Sequence, residues 1–292
     1  MKPTTAQSLA TALGAVAIAA LVAWAASAGG ARIAGLPVVV WCALVAFGVN
    51  WAAFVPSWIA STEFFYDLTG TLTYLTVTAF ALIAVGRYDT RSLLLSALVV
   101  IWATRLGSFL FTRVRADGGD GRFDEILIDP ARLFMTWTLQ GLWVFLTLAA
   151  ALGAITASTA SPLGWTVLAG TAIWAAGFAI EVTADYQKRA FRSEPNSKLP
   201  FITTGVWAWS RHPNYFGEIT LWVGVALIAV GGLQGWRYIT LISPIFVWLL
   251  ITRVSGIPML EARAKKRWGD DPEFQEYTRN TPSLIPRPPR GR

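Results

Sequence analysis

Residues 203–222 read TTGVWAWSRHPNYFGEITLW. The stretch passes from a polar turn through two basic residues, Arg211 and His212, into a helix opened by Pro213 and continued by an apolar run. Proline suits the first helical position because it lacks the amide hydrogen that would go unbonded there. Asn214, Tyr215 and Glu218 follow on the first turns, and Gly217 keeps one side open. A helix start presents free N–H groups and partial positive charge, so it attracts anions. At the edge of a bilayer, this start predicts a phosphorylated or carboxylated ligand meeting an apolar substrate.

The rest of the chain supplies the bilayer. Hydrophobic residues make up 54% and charged residues 14%, which excludes a soluble domain. Apolar blocks of roughly 20 residues, enough to cross a hydrocarbon core, fall at 8–28, 37–60, 66–86, 92–112, 133–157, 162–184, 214–231 and 236–252. The expected fold is an all-α, polytopic integral membrane bundle of about eight transmembrane helices. The first block ends in a cleavable-looking Ala25-Ala26-Ser27-Ala28, but its apolar run is long for a signal peptide, so a retained helix is expected. With the N-terminus placed in the cytoplasm, nineteen Lys and Arg fall in cytosolic segments and four (Arg32, Arg87, Arg91 and Arg237) on the opposite side. That bias predicts cytosolic termini. The net charge of +7 then reflects topology and contact with anionic lipid, and nucleic-acid binding is not expected.

Cys42 is the single cysteine and His212 the single histidine, so no disulfide framework or His/Cys metal cluster can form within one chain. No metal site is expected, and the sequence is silent on oligomeric state.

Ionisable groups inside apolar segments are functional candidates by default. Asn50 fits either interhelical glue or a ligand contact. Glu63, Tyr66 and Asp67 open the third block, where acidic residues either cap a helix N-terminus or face substrate. Arg105 lies seven residues before Arg113, on nearly the same helical face. Arg113 lies near the segment's end, whereas Arg105 is placed for an interior anion or cofactor contact. Glu181, Asp185 and Arg189 are spaced four apart, so one helix face carries all three. They form either a self-satisfied ion ladder or a binding face for a ribose, an amide and a phosphate. Asn214 and Glu218 share a face in the same way. The segment 185–213 is expected as a polar, aromatic-dotted loop long enough to fold over a cofactor. After the last span, IPMLEARAKKRW begins a basic amphipathic helix, followed by a turn at 269–272 and a Pro-rich tail. Arg253, Glu261 and Tyr277 are the members expected to point inward.

Taken together, YDLTG (66–70), WATRLGSFLFTR (102–113), GRFDE (121–125), IEVTADYQKRAF (180–191), GVWAWSRHPNYFGEITLW (205–222), SGIPMLE (255–261) and GDDPEFQEYTRNTPSLIP (269–286) resemble the membrane-embedded steroid 5-alpha-reductase superfamily. The likeness is to its bacterial branch with the 3-oxo-5-alpha-steroid 4-dehydrogenase-like C-terminal domain. Isoprenylcysteine carboxyl methyltransferases carry text similar to 205–222. The resemblance implies N-terminal transmembrane helices over 1–60 and a reductase-like membrane domain over 61–292, in a bacterial inner membrane. It implies NADPH held by the cytosolic, C-terminal half. By position, Asp185, Arg189, Asn214, Tyr215 and Glu218 carry over as cofactor contacts, with Arg211 and His212 beside them. Glu181 stands where the animal enzymes have an asparagine. Arg105, Arg253 and Glu261 complete the candidate cofactor set. The animal enzymes hold a steroid ketone with a Gln-Glu pair where this chain has Tyr66-Asp67, and their catalytic tyrosine falls near Trp102. Both departures point to a changed substrate or proton donor.

The expected activity is hydride transfer from NADPH to an activated C=C bond of a steroid-like or other apolar lipid substrate. Tyr66, Asp67 and Glu63 are the catalytic candidates, and Arg105, Arg189 and Arg211 the phosphate partners. No G-x-G-x-x-G turn follows a strand, so binding is not expected to be Rossmann-like. Two other classes fit the same residues: an S-adenosylmethionine-dependent membrane methyltransferase, and a non-enzymatic sterol- or lipid-binding membrane protein.

Overall fold

The protein is described by a computed structural model covering residues 3–117, 123–193 and 200–289. Ten helices account for most of them: α1 (Thr5–Ala25), α2 (Val38–Ala60), α3 (Tyr66–Val85), α4 (Thr90–Asp117), α5 (Pro130–Ile155), α6 (Trp165–Arg192), α7 (Pro213–Val230), α8 (Ile242–Leu249), α9 (Ile257–Trp268) and α10 (Pro272–Asn280). Eight spans are long and apolar enough to cross a membrane. Each overlaps one of the eight apolar blocks. Among the described residues the strand content is one two-residue antiparallel ladder, Arg32–Ile33 with Leu36–Pro37, turned at Ala34 and Gly35, whose φ values are positive.

Three boundaries differ from expectation for local reasons. Helix α6 runs on to Arg192, two turns past its apolar block, because hydropathy falls at Asp185 while helix-forming residues continue. The last span is composite: a 3-10 segment over Gly235–Leu241, then α8, then π-helical turns over Leu250–Val254. Beyond Gly269 the chain forms α10, capped by the Asp271 carboxylate accepting from the Glu273 amide, before the Pro-rich tail. Within GRFDE, Gly121 and Arg122 lie outside the described residues.

The chain packs as two compact units, Met1–Val167 with Ile228–Ser243, and Leu168–Leu227 with Pro244–Arg292. In the first unit α5 is the central element, packed against α1, α2, α3 and α4, with 89% of its apolar window buried. Its start is set by Pro130 at the first position and by Asp129, whose carboxylate accepts from the amides of Ala131 and Arg132. Asn50 on α2 donates to Thr73 Oγ1 on α3 at 3.2 Å, the interhelical bond expected of a polar residue inside a bundle. Gly107 on α4 admits the Thr71 side chain of α3 into contact; a Cβ there would overlap it.

The carboxyl end of α5 is clasped by arginines. Arg237, 2% exposed, donates to the carbonyl of Gly153 through Nε (3.1 Å) and Nη2 (2.5 Å), and to Thr156 Oγ1 at 2.7 Å. Arg87 donates to the carbonyls of Ala154 and Ala157, and Arg91 to those of Ser161 and Pro162. A helix end leaves four carbonyls unbonded and carries partial negative charge, so cations with several donors satisfy both demands. Asp89 ties the group together through Arg87 Nε at 2.7 Å and Ser92 Oγ at 2.7 Å. Burial raises the pKa of that carboxyl, but the Arg87 and Ser92 bonds outweigh it and hold the group below its ordinary value.

Candidate functional site

The second unit is organised by a glycine seam between α6 and α7. A Cβ on Gly177 would lie 2.6 Å from the Gly217 carbonyl oxygen, and one on Gly217 would lie 2.6 Å from that of Gly177. One heptad away, a Cβ on Gly224 would lie 2.6 Å from the Gly170 carbonyl. Only residues without side chains allow two helix backbones this close. The pairs 170 with 224 and 177 with 217 define an antiparallel register. Carried one turn further, that register sets Glu181 opposite the start of α7. The Glu181 backbone already lies at the seam, its nitrogen 2.7 Å from the Cβ position of Gly217.

Two faces expected from sequence are therefore brought together. Glu181 and Asp185 on α6 are 2% and 5% exposed, while Asn214, Tyr215 and Glu218 on the first turns of α7 are half-buried. Arg189, two turns beyond Glu181 on the same face, is exposed.

Helix α7 begins at Pro213, as its sequence predicts. Ser210 Oγ accepts from the His212 amide at 3.1 Å and donates to the Leu284 carbonyl at 2.8 Å. The His212 ring stacks on Tyr215 with centroids 5.8 Å apart. Arg211 Nη2 lies 2.9 Å, and His212 Nε2 3.4 Å, from the same Glu261 Oε1. Burial lowers the His212 pKa below its ordinary 6.5 and outweighs the raising pull of Glu261. Arg211 Nε is buried and has no hydrogen-bond partner among the described residues. A buried donor without an acceptor is costly.

Behind this turn, α6 and α10 hold the loop that precedes it. The Trp207 indole donates to the Ala184 carbonyl at 3.0 Å, the Val206 amide to Gln187 Oε1 at 3.0 Å, and the Tyr277 hydroxyl to the Trp207 carbonyl at 2.8 Å. Phe201, Trp268 and Phe274 pack with Tyr277 in one aromatic cluster. Burial pushes the Tyr277 hydroxyl above its ordinary pKa, against the opposing charge of Arg211. The Tyr277 hydroxyl is held against the Trp207 carbonyl, whereas the Glu261 side chain, though bonded to Arg211, stays 38% exposed. Arg253 is exposed, on the π-helical turns of the last span.

The first unit holds the remaining candidates at the start of α3. Glu63, Tyr66 and Asp67 line a shallow open cleft with Phe64, Phe111 and Phe123. The Tyr66 ring meets Phe123 and Trp137 edge-on, at 4.8 and 5.0 Å, and its hydroxyl donates to the Thr136 carbonyl at 3.4 Å. Gln140 Nε2 donates to the Tyr66 carbonyl at 3.0 Å, fixing the first turn. Arg113 Nη2 stands 3.8 Å from Asp67 Oδ2. Arg105 lies over the Phe109 ring at 5.5 Å, a cation–π contact one turn along its own helix. Trp102, where the animal reductases place a tyrosine, is buried and packs edge-on against Tyr74.

Residues that sequence reasoning passed over include Gly170, Gly177 and Gly224, whose seven-residue spacing on two consecutive spans is a readable small-residue seam. Ser210 and Ser283 had no sequence signal, since their roles depend on chain ends meeting in three dimensions.

The family model described as "Protein of unknown function (DUF1295)" matches residues 53–281. Over 120 residues the chain is 28% identical to 3-oxo-5-alpha-steroid 4-dehydrogenase 1 of Bos taurus, a match covering 41% of this chain and 41% of the relative's length. No solved structure matches the chain. The α6–α7 and α9–α10 regions just described fall within the family match, and the chain belongs to the DUF1295 family, within the steroid 5-alpha-reductase superfamily.

Proposed function

We propose that the protein is a membrane-embedded, NADPH-dependent reductase acting on an activated C=C bond of a steroid-like or other apolar lipid. The observation that carries the reading is Arg211. Its guanidinium sits at a helix start, is held by Glu261 at 2.9 Å, and keeps a buried Nε without a partner among the described residues. A phosphate oxygen suits that donor, because a planar guanidinium binds oxyanions through charge-assisted bonds. The Asn214 side-chain amide at the start of α7 adds a neutral donor for a phosphate oxygen, where the helix end itself favours negative charge. Glu181, Asp185 and Glu218 supply acceptors for ribose hydroxyls or a carboxamide, and Arg189 further positive charge. Such a shell fits a phosphorylated nucleotide better than a sulfonium-bearing cofactor, whose cation gains nothing from Arg211.

The relative's name denotes a 3-oxo-steroid whose C4 position gains or loses hydrogen, and conjugation with that ketone is what makes the bond reducible. NADPH, when bound, supplies the hydride. As the β-carbon is reduced, the C=C electron pair moves toward the carbonyl oxygen, and the developing enolate needs a donor. The Tyr66 hydroxyl gives that hydrogen bond, with Asp67 orienting it, and a proton delivered to the α-carbon completes the reduction. Glu63 borders the same cleft and relays protons to it. Phe64, Phe111 and Phe123 give the cleft an apolar lining suited to an apolar substrate. The reading assigns the site-bearing loops to the cytosolic side of a bacterial inner membrane, on the bias of Lys and Arg along the sequence.

Purified protein in detergent is tested by thermal shift with NADPH and, separately, S-adenosylmethionine. The reading expects stabilisation by NADPH alone, and NADPH oxidation with a 3-oxo steroid bearing a conjugated C4 double bond. Stabilisation by S-adenosylmethionine instead makes the protein a methyltransferase. No response to either, with tight apolar ligand binding, makes it a lipid-binding protein.

A further inference from the structure

We propose that Glu261 is a positioning residue that latches a C-terminal strap, residues 281–287, over the Arg211 turn and so holds Arg211 for the anionic part of the cofactor. The inference rests on the cofactor reading above and gives Glu261 a role apart from touching the nucleotide. One carboxylate oxygen, Oε1, serves three groups from two directions. From the α7 start come Arg211 Nη2 at 2.9 Å and His212 Nε2 at 3.4 Å. From the strap comes the Ser283 hydroxyl, donating at 2.8 Å.

The strap is itself bonded to the turn. The Arg211 amide donates to the Pro282 carbonyl at 2.9 Å, Ser210 Oγ to the Leu284 carbonyl at 2.8 Å, and the Arg287 amide to the Trp209 carbonyl at 3.0 Å. Pro282 and Pro286 have no amide hydrogen, which disfavours helix, and the segment runs as a bent, non-helical stretch along Trp209–Arg211. Thr281, at the end of α10, is buried and its amide donates to the Tyr277 carbonyl, which anchors the strap at its start.

This arrangement explains the orphaned donor. Glu261 occupies Nη2 and orients the guanidinium, while Nε on the same fork has no hydrogen-bond partner among the described residues. A long arginine side chain left to itself samples many rotamers, and ordering it at the moment of binding weakens affinity. A carboxylate that fixes it beforehand removes that cost, provided the carboxylate is itself held. Ser283 holds it.

The test combines NADPH titration with hydrogen exchange of the peptide covering 281–287, on full-length protein in detergent. Glu261→Gln keeps an acceptor for Ser283 but removes the ion pair; it is expected to weaken NADPH about 10-fold while much of the strap's protection survives. Glu261→Ala removes both, so strap exchange accelerates and affinity falls further. Ser283→Ala is expected to loosen the strap and weaken NADPH about 3-fold. The double variant Glu261→Ala/Ser283→Ala is expected to be no worse than Glu261→Ala alone, because both act through one contact. Unchanged strap exchange in Glu261→Ala, or effects that simply multiply in the double variant, overturns the latch. If the unaltered protein does not respond to NADPH, the cofactor reading falls, and strap exchange in Glu261→Ala still decides the latch by itself.

Discussion

Replacing Gly217 by alanine adds one methyl group where two helix backbones touch. The new Cβ would lie 2.6 Å from the Gly177 carbonyl oxygen and 2.7 Å from the Glu181 nitrogen. That is about 0.8 Å short of the 3.4 Å at which ordinary contact begins. Both neighbours are backbone atoms and cannot rotate aside, so α6 and α7 must part by a comparable distance. Overpacking of this size costs about 1–3 kcal/mol, offset by about 1 kcal/mol from alanine's better helix propensity. Gly48→Ala is the control: Gly48 is also helical and exposed, and nothing lies within 4 Å of its Cβ position. It receives the propensity gain without the clash. The difference between the two variants isolates the seam, and at about 2–4 °C per kcal/mol it separates their melting temperatures by about 2–12 °C. Because a site tolerates only about 0.5 Å of displacement, moving Glu181 from Asn214 is also expected to weaken NADPH about 10-fold. Melting and NADPH titration in one detergent read both effects. Gly217→Ala that melts and binds like Gly48→Ala would refute the argument that the seam builds the site.

Arg237→Met is expected to destabilise the first unit by about 3–5 kcal/mol, seen as a lower melting temperature, because it leaves the Gly153 carbonyl and Thr156 hydroxyl buried without their donor. Recovery of most of that loss in Arg237→Lys would show that charge, and not the guanidinium fork, matters. Tyr277→Phe deletes the bond to the Trp207 carbonyl and is expected to cost about 1–2 kcal/mol, with faster hydrogen exchange over 205–208. For pH, the sign follows from His212. Its folded pKa lies below the unfolded 6.5, so between those two values the unfolded chain binds more protons and stability rises with pH. Stability is therefore lost as pH falls below 6.5 toward the folded value. In melting scans from about pH 5 to 7.5, His212→Asn is expected to flatten that slope, and an unchanged slope assigns it to other groups.

Much of the architecture was legible because a bilayer imposes one length on every span. Seven of the apolar blocks each became one α-helix and the eighth a composite helical span, and Pro213 marked the start of α7 to the residue. Composition could not show where α6 ends, since helix formation and hydropathy part company at Asp185. Nor could it separate 3-10, α and π geometry in the last span, where the same apolar residues adopt all three. For the site, the i, i+4 spacing of Glu181 with Asp185 and of Asn214 with Glu218 exposed two faces, but not that they meet. The glycines that join them were visible only as a period of seven. The Glu261–Ser283 contact links residues 22 apart across α10 and has no local signature at all.

The arginine clasp bears on how the chain is made. The carbonyl of Gly153 waits for a donor that is synthesised 84 residues later, and Thr156 shares it at a separation of 81. Until Arg237 arrives, the Gly153 carbonyl and the Thr156 hydroxyl lack the guanidinium donor that the finished chain gives them. A nascent polypeptide released after its fifth span is thus chemically unfinished at its most buried helix. Ribosome-bound intermediates of increasing length should resist protease there only once the segment past residue 237 has been inserted.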